Sequence, residues 1–271
     1  MKNHKFYYYD EQKDDFANTK IKGKQTPPDY QYLPQRLSYR IFKPIVYYAV
    51  LFLLEVFWIF FRQVPIKNRK VLRNRKEKKK GYFVYSNHTL WVTDAISTPV
   101  SVFPRQCYTI AHPDAISIPG LFTLVRMLGA LPVPSAVGAY RNFLSAVEKL
   151  YQKGCVIAIF PEAHIWPKYH EIRDFSPVSF HYPVKLNAPC FVKTTVYKKK
   201  KNGKTRPVLY YDGPFYPDPE LSPRQAREEL CRRVYEQMRT RAEGEGSAAD
   251  ERYQYIRVPS ADQVRTERQH R

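Results

Sequence analysis

The sequence predicts a single α/β domain, a mixed sheet flanked by helices, with an apolar helical segment ahead of it. Three observations carry that prediction: β-rich runs alternate with helical ones from Tyr82 onward, an Asn-Gly turn joins two of the runs, and a long apolar block precedes them all.

The apolar block reads P-I-V-Y-Y-A-V-L-F-L-L-E-V-F-W-I-F-F from Pro44 to Phe61, interrupted only by Glu55. The 17 residues from Ile45 to Phe61 stand at the short edge of the ~20 that a helix needs to cross a bilayer. Arg36, Arg40 and Lys43 precede the block and a basic run from Lys67 to Lys80 follows it, so the flanks give no inside–outside asymmetry. A helix lying in the membrane interface therefore fits at least as well as a span. A buried core helix has little reason to be followed by such a run, whereas near an anionic leaflet each cation contributes on the order of 1 kcal/mol.

Strands are expected at Tyr82–Tyr85, Cys107–Ala111, Cys155–Phe160, Cys190–Tyr197 and Val208–Tyr211. Ala136 to Lys153 carries Val137, Phe143, Leu144, Val147 and Leu150 at helical spacing and stops at Gly154. Lys198 to Arg206 reads as a hairpin loop whose Asn202-Gly203 accepts positive φ at low cost. Ser222-Pro223 supplies an N-cap and first-turn proline for a helix to about Ala242. The expected organisation is a polar, basic segment over 1–43, the apolar helix and polybasic run over 44–80, the α/β domain over 81–242, and a charged, disordered tail over 243–271.

A net charge of +20 calls for an anionic partner: nucleic acid, phospholipid headgroups or an acidic substrate. Tyrosine and phenylalanine are abundant enough to stack bases, but Tyr47, Tyr48, Phe52, Phe57 and Trp58 lie inside the apolar block and look lipid-facing. The partner expected is an anionic membrane surface, not nucleic acid. No secretory signal opens the chain, which places the expected site on the cytoplasmic face. Cys107, Cys155, Cys190 and Cys231 form no C-x-x-C pair, and His164, His170 and His181 match no metal-ligand spacing, so neither a disulfide framework nor a metal is expected. No cofactor is expected either, because no P-loop or G-x-G-x-x-G is present; a G-x-S-x-G elbow is absent as well, against a serine hydrolase.

Two strings carry chemistry, each directly after an expected strand, where open α/β sheets place their ligands. In S-N-H-T-L-W-V-T-D, Ser86 to Asp94, a carboxylate that holds one imidazole nitrogen leaves the other free to take a proton from a hydroxyl. Taken alone, a His near an Asp is more often a structural contact. In F-P-E-A-H-I-W-P, Phe160 to Pro167, a Glu at a strand end either binds substrate hydroxyls or braces its loop.

Together, and in this order, the strings resemble the glycerolipid acyltransferase family, whose lysophosphatidate-type enzymes carry N-H-x-x-x-x-D and then F-P-E-G. The resemblance covers roughly Gly81 to Asp212. It implies O-acyl transfer with His88 as general base and Asp94 orienting it. It further implies Asn87, Phe160, Pro161 and Glu162 at the acceptor loop, an acyl thioester donor on coenzyme A or acyl carrier protein, and a lysophospholipid acceptor in phospholipid synthesis. Ala188-Pro189 resembles the family's proline before a strand, and Leu128 to Pro134 occupies the place of its second motif. Five residues stand between His88 and Asp94 where the family has four. Ser135 stands where the second motif has arginine, Ala163 where the third has glycine and Ile165 where it has arginine. Those arginines grip the acceptor phosphate in the family, and Arg126, Arg141, Lys168 and Arg173 are the substitutes available here. A catalytically silent lipid-binding relative is the alternative, against which the retention of both His88 and Asp94 argues.

Overall fold

The computed structural model describes residues 3–16, 23, 25–57, 64–76 and 78–259. A parallel pair, β1 (His4–Tyr8) and β9 (Tyr253–Arg257), stands apart from the main sheet. That sheet contains β2 (Ile66–Lys67), β3 (Tyr82–Ser86), β4 (Cys107–Ala111), β5 (Ala130–Pro132), β6 (Val156–Ile159), β7 (Cys190–Lys199) and β8 (Thr205–Phe215). Their spatial order is β2-β8-β7-β3-β6-β4-β5, and only the β7–β8 hairpin is antiparallel, so the sheet is mixed as expected.

Side-chain alternation within each strand decides what covers each face. Phe83, Tyr85, Ile157, Ile159 and Val192 point to one face, where α5 (Val137–Gln152) and α7 (Pro223–Gly244) bury Phe143, Val147, Leu150, Leu230, Val234 and Met238. Tyr82, Val84, Val156, Ala158 and Phe191 point to the other. There α1 (Leu37–Phe57) packs Tyr47 and Leu51 against Leu209 and against Val100 of α2 (Asp94–Val102). Three short helices, α3 (Pro113–Ile116), α4 (Phe122–Met127) and α6 (His181–Leu186), complete the connections. Ser222 and Gln225 close a reciprocal capping box at the start of α7.

Three boundaries differ from expectation. The helix of the apolar block starts at Leu37, seven residues before Pro44, and its first turns are tied to the body of the domain where the Lys43 ammonium donates to the Tyr108 hydroxyl; residues 58–61 of the block lie outside the described residues. No described helix is long and apolar enough to cross a membrane. The basic run is partly structural: Ile66 and Lys67 pair with Leu209 and Tyr210, and the Arg75 guanidinium donates to the carbonyls of Leu72 and Lys78. Finally, the charged end is not a disordered tail up to 259. Tyr253 to Arg257 pairs with β1 because Phe6 stacks on Tyr255 at 4.9 Å and Tyr255 stacks in turn on Trp166 at 4.9 Å. Residues 260–271 lie outside the described residues.

Gly81 enters β3 where its amide donates to Tyr151 and a Cβ would stand 2.0 Å from the Cys155 carbonyl oxygen. Backbone cannot yield as a flexible side chain does. Gly81→Ala is expected to lower unfolding free energy by roughly 1–3 kcal/mol, the usual cost of overpacking, read as a lower urea midpoint at unchanged slope.

Candidate active site

The loop after β3 is held by its first residue. The Asn87 side-chain amide donates to the Thr195 carbonyl at 3.1 Å and accepts from the Thr195 amide at 2.8 Å, which extends the β3–β7 pairing by one side chain. Asn87 is buried, so its amide is spent on the strand and not on a substrate. His88 follows, at the C-terminal end of a parallel strand.

His88 Nδ1 lies 2.8 Å from Asp94 Oδ2, and the same oxygen accepts the Leu90 amide at 2.8 Å. The ring keeps 21% of its side-chain surface open while the carboxylate is closed off entirely. With Nδ1 turned to the carboxylate, Nε2 is the nitrogen left to exchange a proton. The fifth intervening residue is taken up by a short 3₁₀ turn, Trp91–Thr93, with Trp91 at φ 58°. A left-handed backbone at a bulky residue costs roughly 1–2 kcal/mol. Asp94 then opens α2, where the N-terminal dipole favours its negative charge.

The second string is laced to the first. Glu162 accepts the His88 amide at 2.9 Å on Oε2, and on its two oxygens the Arg173 guanidinium and amide at 3.0 and 3.1 Å. Trp166 donates its amide to the His88 carbonyl and Lys168 its amide to the Thr89 carbonyl. Of the two roles open to Glu162 from sequence, the geometry is that of bracing. Phe160 stacks on the His88 imidazole, ring centres 4.3 Å apart, and Pro161 makes the turn. Ala163 has φ 61°, so the left-handed conformation survives without the family's glycine.

The four basic candidates go to different places. Arg173 is buried beneath the loop, bonded to Glu162, the His164 carbonyl and the Glu11 carbonyl, because a guanidinium there satisfies oxygens that water cannot reach. Arg126 donates to the Gln31 carbonyl, lies over Tyr30 and lines a cavity of about 460 Å³ beside Gln106, Tyr108 and Cys155. That cavity opens at the N-terminal ends of β4 and β6, the opposite end of the parallel strands from His88. Arg141 is exposed on α5. Lys168 remains beside the His88 loop through its amide, with its ammonium 4.9 Å from the centre of the Tyr197 ring. Ser135, in place of the second-motif arginine, exchanges hydrogen bonds with Thr26, and Ile165 is buried.

Sequence reasoning passed over Lys193. It is fully buried on β7, its ammonium donates to Ser97 Oγ, and it lies 5.3 Å from the centre of the Phe160 ring. Burial pushes its pKa down to about 8 against the opposing pull of Asp94. The signal was present: a lysine in the middle of C-F-V-K-T-T-V-Y, an otherwise uncharged run.

Among the described residues no group of three or more His, Cys, Asp or Glu side chains converges as a metal would require. All four cysteines are buried and unpaired. The family model described as Acyltransferase matches residues 64–198. No curated protein matches the chain. The crystal structure of PlsC, the 1-acyl-sn-glycerophosphate (LPA) acyltransferase of Thermotoga maritima, superposes with a TM-score of 0.54 at 20% identity, covering 78% of this chain and 88% of that one. At that identity the likeness to PlsC is one of fold. The match over 64–198, which takes in both strings and the strands that present them, makes this chain a member of the acyltransferase family.

Proposed function

We propose that this chain moves a fatty acyl group from an acyl thioester to the free hydroxyl of a lysophosphatidate-type glycerolipid, at the cytoplasmic face of a membrane. The donor is carried on coenzyme A or acyl carrier protein. The observation that carries the reading is the His88 Nδ1 to Asp94 Oδ2 contact of 2.8 Å with the other side of the ring open, inside an acyltransferase-family domain. Asp94 keeps the proton on Nδ1, so Nε2 accepts the hydroxyl proton as the acceptor oxygen attacks the thioester carbonyl. The carbon–sulfur bond breaks and the imidazolium returns the proton to the leaving thiolate. No covalent enzyme intermediate is needed. The acceptor chemistry of PlsC, printed in its name, supports the glycerolipid class.

Membrane docking is read from α1. Its inner side packs on the domain, whereas Leu37, Ile41, Phe42, Ile45, Phe52 and Leu53 are exposed on the outer side. Apolar surface this continuous marks an interaction face. Lys70, Lys78 and Lys79 of the basic run are exposed as well and suit anionic headgroups.

Replacing the base tests the chemistry. His88→Ala is expected to cost about 10² to 10⁴ in kcat with folding and vesicle binding retained, and Asp94→Asn to be severe; wild-type turnover by the His88 variant, measured with radiolabelled acyl thioester and a lysophospholipid panel, would refute the mechanism. For the acceptor, Lys168→Ala should raise KM for lysophosphatidate selectively, and an unchanged KM favours a neutral or diester acceptor. Arg173→Met should instead unfold the protein early, since orphaning a buried carboxylate costs roughly 3–5 kcal/mol. For the membrane, Phe52→Ser with Leu53→Ser should weaken flotation on neutral and anionic vesicles alike. Charge reversal at Lys70, Lys78 and Lys79 should weaken only the anionic case and only at low salt, because screening acts within ~8 Å at physiological ionic strength.

A further inference from the structure

We propose that Lys193 is a positioning residue for acyl transfer: its buried ammonium, hydrogen-bonded to Ser97 and set against Phe160, is the countercharge to the buried Asp94 carboxylate that holds the His88 imidazole. The proposal rests on the His88–Asp94 reading. Geometry carries it. Asp94 is buried, one of its oxygens takes both the His88 ring and the Leu90 amide, and the other, Oδ1, has no hydrogen-bond partner. A buried carboxylate left half satisfied drifts toward its protonated form unless a positive charge stands near. Ser97 lies one turn along α2 from Asp94, donates its hydroxyl to the Asp94 carbonyl at 3.0 Å and accepts from Lys193 Nζ. One hydroxyl thus ties the ammonium to the turn that carries the carboxylate. On its other side the ammonium meets Phe160, the ring stacked on His88.

Among the described residues that face Lys193, Asp94 is the acidic one. Cys107 on β4 is pushed up to about 12 by burial and stays a thiol. Tyr211, its register partner on β8, is raised by burial and stays neutral. Ser86, its neighbour on β3, and Ser97 on α2 do not titrate. Desolvation of the ammonium costs stability at every pH below its own pKa near 8, a cost that Asp94 offsets in part. The sign follows: the folded-state pKa is below that of an exposed lysine, so folding is disfavoured where the group must be charged and relieved as pH rises past 8.

The test separates the two roles. In Lys193→Met the positive charge beside the dyad disappears, so protonated His88 persists to higher pH. The acid limb of kcat/KM should move up by on the order of one unit, which lowers the rate by about tenfold at pH values well below the limb. The melting temperature should fall as well, because the buried Asp94 carboxylate is left without its countercharge, so activity is compared at a temperature where both proteins are folded. Wild type should lose activity along an alkaline limb near the Lys193 pKa of about 8, after correction for thioester hydrolysis, and Lys193→Arg should carry that limb above pH 10, since guanidinium stays charged. Ser97→Ala, which removes the anchor, should shift the wild-type limb. Wild-type rate and limbs in a folded Lys193→Met protein overturn the proposal. Where Lys193→Met does not fold, a wild-type profile flat from pH 7 to 9.5, or a Ser97→Ala profile identical to it, overturns it on its own. His88→Ala assayed alongside keeps the failures apart: activity in that variant defeats the dyad reading, whereas its inactivity beside an unaffected Lys193→Met defeats only the role of Lys193.

Discussion

Glu162 is the carboxylate on which the site depends. Its two oxygens, buried and out of reach of water, accept the His88 amide together with the amide and guanidinium of Arg173. A buried charge paired in this way returns little net stability, but removing either partner leaves the other uncompensated. The pair therefore acts as a geometric constraint more than as a source of energy. It fixes the height of the loop after β3 relative to the loop after β6, and the Trp166 and Lys168 amides then close the same seam by bonding to His88 and Thr89. With His88 pinned at its backbone and Asp94 pinned by the start of α2, the two rings and the carboxylate have little freedom left to lose on binding substrate, and preorganisation of this kind is where catalytic geometry gains most.

The constraint is strong enough to hold strained backbone on both sides of the seam. Trp91 and Ala163 both occupy left-handed conformations that glycine would adopt freely. At Trp91 the strain accompanies the extra residue between His88 and Asp94; at Ala163 it falls where the resembling string has glycine. The ends of the chain share in holding the second loop. Trp166 donates its ring nitrogen to the Asp14 carbonyl, the Phe16 amide donates to the Ile165 carbonyl, and the Tyr255 hydroxyl donates to the Pro167 carbonyl. Segments from opposite termini thus meet over the Phe160–Pro167 loop, through the β1–β9 pair.

Much of this was legible in the sequence, and what was not has a physical reason. β4 was read to the residue and β3, β6 and α5 to within a residue or two, because apolar periodicity and Gly154 mark them locally. The His88 and Asp94 pairing was legible as a pattern, yet its survival across five residues depended on Trp91 accepting positive φ, which no local rule favours. β9 was read as tail because its stability comes from aromatic contacts across most of the chain, Phe6 on Tyr255 and Tyr255 on Trp166, and not from its own composition. Arg173 was read as a phosphate ligand on charge alone; only the fold shows Glu162 taking it up. Tyr47 was grouped with the lipid-facing residues, but the helix turns it inward against the domain, and the exposed stripe runs through Ile45 and Phe52 instead.

That stripe and the dyad are joined by a short mechanical path. α1 packs Tyr47 and Leu51 on Val100 of α2, and the Tyr47 hydroxyl accepts the Cys107 amide at 2.8 Å where β4 begins. α2 begins at Asp94 and carries Ser97, the anchor of Lys193, in its first turn. The helix whose outer side suits an apolar phase is therefore one packing layer from the helix whose N-terminus holds the carboxylate. Close-packed interiors transmit displacement and do not absorb it. Whatever bears on the exposed side of α1 therefore also bears on the position of Asp94, so that side and the geometry of the proposed base belong to one rigid layer of the fold.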